Sequence, residues 1–416
     1  MEEKLEILIL GGIYSADGRF NNAVFCLSEQ LSEINNVKIL PISRFPWNEK
    51  KPSKSSSRII HFNRLILLLK SFKYFFTTYY SIKPYINIFS VYGVVLFFRF
   101  LFNMTSLEIL LKDYNPDIVH IHSTDLERFA FYKVMFNKKI PFFTTIHGLY
   151  SFDENFDNAY DAKKLEKNIL NKLNKQKRPI IFVARGVKDC TVQKFGLDDF
   201  NLHVISNGVN QKSFKKLKSF NKDRVLKKYN IPQGKKIIIQ VGNLYKIKNH
   251  IVVLEAISRM ESDLRSRLHY LVVGDGFERS KLEKFSNDYH ITDTCSFVGK
   301  KFGIELVELY GVSDFLIVPS TSENFPLVFL EALAMGIPII TFKDLWPVKD
   351  FFNKNYMELI NERSIDAIIH AIEMACYRKW DTNLIISISK EYSWSNVSYK
   401  YNNLFKSILS GDYNEK

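Results

Sequence analysis

The chain has 416 residues, 46% hydrophobic and 25% charged, with a formal net charge of +14. That length exceeds one ordinary core and predicts two domains, and the composition excludes a disordered chain. Four scattered cysteines, Cys26, Cys190, Cys295 and Cys376, form no CxxC pair or ligand cluster, which points to reduced thiols in a cytoplasmic protein. The positive charge asks for an anionic partner, either an acidic membrane face or a phosphorylated small molecule. Nucleic acid is disfavoured, because no binding motif accompanies the charge.

The acidic start MEEKLEILILGG leads straight into a strand at residues 6–10 and does not read as a signal peptide. Gly11 and Gly12 follow, then a polar loop, then Val24, Leu27 and Leu31 at helical spacing. Strand, glycine loop and helix can cradle a phosphate, because glycine lets backbone N–H groups approach an anion. The spacing is not GxGxxG, and a tight turn without a ligand fits equally.

A strand at 38–43 precedes an acid-free region. From Lys50 to Leu107 there are nine Lys or Arg and no Asp or Glu. Tyr74, Phe75, Phe76, Tyr79 and Tyr80 lie among Lys70, Lys73 and Lys83, and VYGVVLFFRFLF carries Arg99. This composition suits helices in an anionic lipid interface. Core helices with a solvated basic face are the alternative, and the residues leave both open. No uncharged apolar run reaches the roughly 18–20 residues of a membrane span.

Strands are predicted at 117–122 and 141–146, the second ending at His147-Gly148. A histidine at a strand's carboxyl end is well placed for a ligand cleft. His120 and His122 alternate with apolar residues and read as structural, and no histidine has metal-ligand spacing. Short strands at 180–184 and 203–206 follow, then the turn Asn207-Gly208. The lysine-rich stretch 210–233 reads as a linker.

The βα rhythm then restarts, with strands at 236–241, 269–273 and 295–298 closing on Gly242, Gly274-Asp275-Gly276 and Gly299. Next comes DFLIVPSTSENFPLVFLEALAMGIPIIT, a strand at 315–318, a polar turn, a helix and a strand at 337–341. Asn324 is a candidate N-cap, Pro326 a first-turn proline, and Gly336 a helix stop. Glu323 and Glu331 frame the turn eight residues apart and can face one cleft if the helix starts near Phe325. A capping acid plus a solvated helix residue is the structural alternative. A glutamate between Leu330 and Ala332 on an apolar helix favours function. Two doubly wound α/β sheets result, whose carboxyl ends can face each other across a cleft. Trp394, Val397, Tyr401 and Leu404 give a last helix.

These motifs resemble, in order and over nearly the whole chain, the retaining nucleotide-sugar glycosyltransferases of family 4. The most specific is SENFPLVFLEALAMGIPIIT, similar to the family's Glu-x7-Glu donor motif. The glycine loop, TIHG at 145–148, SNGVN at 206–210, GNLYKIKNH from Gly242, VVGDGFERSKLE, FVGK and YSWSNVSYKY support it. The resemblance implies the GT-B architecture: an acceptor-side domain at 1–212, a donor domain at 213–392, and a helix at 393–416 crossing back to the first. It implies that Glu331 binds the donor ribose. Glu323 lies near the transferred sugar, with Asn324, Phe325, Pro326 and Leu327 offering backbone contacts to sugar and phosphate. Lys248 neutralises the diphosphate and His147 contacts the donor sugar. Gly18 closes over the site, and Gly276 and Gly299 line the nucleotide pocket. Asn243 stands where the family usually has arginine, with Arg19 and Lys246 as candidate substitutes.

No Asp-x-Asp pair is present, so the resemblance implies a metal-free site with no cofactor and a nucleotide-diphosphate sugar as substrate. It implies a glycan or lipid-linked acceptor in bacterial surface polysaccharide synthesis. The protein is then expected in the cytoplasm, peripheral on the inner membrane face. A nucleotide-sugar epimerase of the same fold and a non-catalytic scaffold are the alternatives. Past Thr341 the family's usual glycine pair and glutamate are missing.

Overall fold

The computed structural model describes residues 4–12, 23–42, 58–149, 151, 161–215 and 220–411, with Arg64 described by its backbone alone. It forms two compact units, Met1–Asn207 with Trp394–Lys416, and Gly208–Ser393.

The first unit is built on seven parallel strands: β1 (Glu6–Gly11), β2 (Asn36–Pro41), β3 (Arg58–Ile59), β4 (Ile118–His122), β5 (Phe142–Ile146), β6 (Ile180–Phe182) and β7 (Leu202–Val204). Their order is β3-β2-β1-β4-β5-β6-β7. Ile7 to Leu10 are wholly buried, as a strand covered on both faces requires. The helix α1 (Ala23–Leu31) lays Val24, Leu27 and Leu31 into a core shared with Trp394, Val397, Tyr401 and Phe405 of the C-terminal helix Trp394–Ser410. A buried bond from Asn35 Nδ2 to Asn402 Oδ1, 2.9 Å, fixes that return.

In the second unit the strands are β8 (Lys236–Val241), β9 (Leu268–Val273), β10 (Cys295–Phe297), β11 (Phe315–Val318), β12 (Ile339–Phe342) and β13 (Met357–Ile360), in the order β10-β9-β8-β11-β12-β13. The divide between the units falls within SNGVN. The Val209 N–H donates to the Tyr392 carbonyl, and Val209 pairs with Ser393, tying residues 208 onward to the second unit. The expected linker holds a real element. The helix Lys222–Lys228 buries Val225 and Leu226, and Phe220 packs over Gly311. A lysine-rich face hides this helix from a reading by composition.

The acid-free region folds as α2 (Arg64–Ser71), α3 (Phe75–Ile82) and α4 (Val91–Asp113). At 23 residues, α4 is long and apolar enough to cross a membrane by length and composition. Its Phe97, Phe100, Leu101 and Phe102 are buried, the pattern of a core helix, and it packs on α2, α3 and α5 (Leu126–Met135). Arg99 is not a free surface cation, because it pairs with Glu127 at 2.8 Å. Core packing leaves a second surface outside: Leu65, Leu69, Phe72, Phe76, Tyr80, Phe89 and Val91 are exposed, beside exposed Lys70, Lys73 and Lys83.

Candidate functional site

Each sheet reverses its winding at one place, between β1 and β4 in the first unit and between β8 and β11 in the second. Ligands of open α/β sheets bind at the carboxyl ends of the strands at such a switch point. The chemically distinctive side chains gather at both.

In the second unit, β8 runs into Gly242 and Asn243, a single 3-10 turn Lys246–Lys248, and the helix His250–Arg259. The turn is pinned from below. Tyr270 donates to Gln240 Oε1 at 2.6 Å, and Gln240 Nε2 donates to the Lys248 carbonyl at 2.8 Å. It is stitched sideways to the loop after β11: the Thr321 N–H donates to the Ile247 carbonyl at 2.9 Å, and Asn249 Nδ2 to the Pro319 carbonyl at 3.2 Å. This frame sets Lys248 Nζ 2.5 Å from Glu323 Oε1, which also accepts from Ser320 Oγ at 2.7 Å. Arg363 donates to the carbonyls of Ser320 and Thr321 while paired with Asp344, bracing the same loop.

Glycines bring the neighbouring loops together. A Cβ on Gly274 would sit 1.7 Å from the Gly242 carbonyl oxygen, and one on Gly276 would sit 2.5 Å from that of Leu244. The Gly274 N–H donates to the Gly299 carbonyl at 3.0 Å. Gly299 itself has φ +72°, which a side chain strains. Gly276 and Gly299 thus have packing reasons that need no ligand. Asn243 is exposed, and its carbonyl accepts from the Tyr245 N–H.

The helix after β11 is Leu327–Ala334, and Pro326 occupies its N-cap position with no side-chain bond. The expectation that Asn324 caps a helix starting near Phe325 is corrected. Pro326, extended at ψ 110°, holds the chain out of the helix until Leu327. Phe325 and Pro326 are buried, with the Phe325 ring 5.1 Å from that of Phe351, so only backbone is offered there. The first amides of a helix have no intrahelical partner, so Leu327 opens a site of positive potential.

Glu331 lies further along this helix, half-buried, and accepts from the Tyr310 hydroxyl at 2.8 Å. Burial pushes its carboxyl up to about 7, with the Tyr310 bond opposing. Because the helix starts late, Glu323 sits in the loop and Glu331 within the helix, and they share no partner among the described residues. The structure joins Glu323 to Lys248 and leaves Glu331 with Tyr310.

In the first unit, His147 follows β5 and is half-buried, its Nε2 2.9 Å from His122 Nδ1 with the rings near parallel. The His122 ring lies against that of His120, tilted by 36° with centroids 3.8 Å apart. His120 Nε2 meets Thr145 Oγ1, which meets the Tyr401 hydroxyl of the C-terminal helix. Gly11 and Gly12 close over this group. A Cβ on Gly11 would approach His122 at 3.2 Å, and one on Gly12 would sit 2.9 Å from Arg128 Nη2. Arg128 pairs with Asp125. Burial and the Arg128 guanidinium push His147 down to about 4. Gly18 and Arg19 lie outside the described residues.

Reading by motif missed Ser320, Tyr310, Gln240, Arg363, His122 and Arg128. Only Ser320 had a local signal, standing three residues before Glu323 in the polar turn.

Two doubly wound parallel sheets, each with charged or hydrogen-bonding groups at its switch point, define the GT-B class of α/β fold. Anabaena HepE, solved in complex with UDP-glucose, shares it with a TM-score of 0.69 at 13% identity, over 97% of this chain and 100% of that one. Residues 79–212 match the family described as Glycosyltransferase Family 4, and residues 221–378 match Glycosyl transferases group 1. The two matches together span most of the chain, which belongs to glycosyltransferase family 4. It is 26% identical over 230 residues to N-acetyl-alpha-D-glucosaminyl L-malate synthase of Bacillus anthracis, covering 54% of this chain and 56% of that protein. It is 25% identical over 263 residues to the putative teichuronic acid biosynthesis glycosyltransferase TuaC of Bacillus subtilis (strain 168), covering 63% and 61%. The matched stretch therefore spans less than two thirds of either relative.

Proposed function

We propose that this chain transfers a sugar, with retention of configuration, from a nucleotide-diphosphate sugar to a glycan or lipid-linked acceptor. The product is a bacterial surface polysaccharide such as capsule, O-antigen or lipopolysaccharide. The observation that carries this reading is Lys248 held against Glu323 beside the open helix end at Leu327. Breaking the bond between the sugar's anomeric carbon and the diphosphate oxygen puts negative charge on the leaving group. The ammonium of Lys248 has three donors, of which Glu323 takes one, leaving two for phosphate oxygens. Fixed amides at the helix end add positive potential that needs no reorganisation during reaction.

The new bond forms between the anomeric carbon and the acceptor oxygen on the face the diphosphate leaves. The acceptor's hydroxyl proton passes to the departing phosphate oxygen, so no protein nucleophile is required. In this reading the counter-charge comes from Lys248 and the amides, without a metal. Glu331 holds the ribose, Glu323 and the 324–327 backbone face the sugar, and His147 contacts it. The teichuronic acid role in the name of the Bacillus subtilis relative supports a surface-glycan product.

The protein works in the cytoplasm, peripheral on the inner membrane face. Support comes from the Lys50–Leu107 segment, where exposed Phe76 (73%), Phe89 (91%) and Val91 (87%) stand among lysines. Anionic lipid complements both features.

A thermal-shift panel of UDP, GDP, ADP and TDP tests the donor assignment. One selective stabiliser is expected, with about 2.7 kcal/mol gained at a hundred times its dissociation constant. No stabilisation by any of the four overturns it.

A further inference from the structure

The three histidines of the first unit form one column. His120 and His122 project from β4, wholly buried, and His147 follows β5. Only His147 is half-open. One proton lies between His122 Nδ1 and His147 Nε2, 2.9 Å apart, and either ring can supply it.

The atom on the far side of His122 decides which. His122 Nε2 is buried and has no hydrogen-bond partner among the described residues. If His147 were the donor, the neutral His122 ring would carry its own proton on Nε2, as a buried N–H with nothing to accept it. Orphaned buried N–H groups are rare, and a bare lone pair is the cheaper defect. Burial above all, then His120, His147 and lastly the Arg128 guanidinium, hold His122 well below the usual histidine range, and the guanidinium adds positive potential at this ring. Positive potential favours a lone pair over an N–H. Asp125 does not reverse this, because it is committed to Arg128.

We infer that His122 is a positioning residue that donates Nδ1–H to His147 Nε2, so that His147 carries its own proton on Nδ1 and presents it outward. That Nδ1 has no partner among the described residues and is not among the sealed polar atoms. His147 is then a fixed hydrogen-bond donor to a ligand oxygen, and its one basic nitrogen is occupied. It does not serve as a proton-abstracting base. Its neutrality supports this, since burial holds its protonation near pH 4. The inference rests on His147 belonging to the transfer site, as proposed above.

The test uses the full chain with 15N-labelled histidine, the His147 signals being assigned through His147→Gln. At pH 7.5 the wild type is expected to show His147 protonated on Nδ1 and bare on Nε2. His122→Phe keeps a ring in the stack but removes the donor, and His147 is expected to shift toward the Nε2–H form. His122→Asn places an amide N–H near the lost Nδ1–H and is expected to restore the wild-type pattern. Transfer is expected to fall about tenfold in the Phe variant and recover in the Asn variant. A wild-type His147 protonated on Nε2, or a tautomer unmoved by His122→Phe, overturns the inference. A tautomer that moves while transfer stays unchanged keeps it and instead removes His147 from the proposed site.

Discussion

Lys248 and Glu323 are 75 residues apart in the chain, yet Nζ and Oε1 meet at 2.5 Å. The Glu323 side chain is 9% exposed and that of Lys248 30%, so a small ligand can reach the ammonium more readily than the carboxylate. The two should therefore fail differently. Lys248→Ala is expected to weaken nucleoside diphosphate binding at least tenfold, about 1.4 kcal/mol, and to abolish transfer. Glu323→Gln removes a negative neighbour of the phosphates, so binding should hold while transfer is lost. Calorimetric titration of both variants separates these effects, and equal binding losses would contradict the distinct roles.

Glu331 carries a stability cost. Its folded carboxyl titrates near 7 against an ordinary 4.5, so between these values the folded state binds more protons than the unfolded one. Stability from this group is therefore lost as pH rises from about 4.5 to 7 and stays lost above. Glu331→Gln should raise apo stability at pH 8 by on the order of 1–2 kcal/mol, allowing for the water a half-buried carboxylate keeps. It should also flatten the slope between pH 5 and 7 and weaken nucleoside diphosphate binding. Urea midpoints across pH report the first two, and a destabilised variant at pH 8 would contradict them.

Asn243 is exposed on the loop that carries Lys248. Asn243→Arg should add a phosphate cation and tighten nucleoside diphosphate binding several-fold, on the scale of about 1 kcal/mol for a partly exposed charge. If Lys246 already fills that role, Lys246→Ala weakens binding in the wild type and much less in Asn243→Arg. An unchanged dissociation constant in Lys246→Ala removes Lys246 as a substitute.

For the exposed face of α2 and α3, Phe72→Ser with Phe76→Ser should abolish sedimentation with vesicles of anionic lipid. Lys70→Glu with Lys73→Glu should do so most strongly at low salt, where charge attraction is least screened. Both pairs leave the buried face of α4 intact, so melting should not change. A wild type that fails to sediment would contradict the membrane assignment.

Much of the fold was legible because parallel strands buried on both faces read as apolar runs, as at Ile7 to Leu10 and Phe315 to Val318. The two-residue β3 and the strand β13, with Glu358 in its middle, lack such a run and were not predicted. The lysine-rich helix Lys222–Lys228 reads as linker because two buried residues, Val225 and Leu226, are too few to show a period. Glu323, Glu331, Lys248 and His147 were legible as motif members, but their partners were not. Tyr310, Gln240 and Arg363 come from distant segments, and only sheet order brings them in. His122 misleads through its alternation with apolar residues: it is buried in the core and bonded to half-buried His147.

The most direct measurement is release of nucleoside diphosphate from the nucleotide sugar of the selected base, with the product's anomeric configuration read by NMR. The account predicts acceptor-dependent release with retained configuration, lost in Lys248→Ala and Glu323→Gln at unchanged melting temperature. Equal turnover in the wild type and both variants, or release that yields only an epimerised donor, would contradict it.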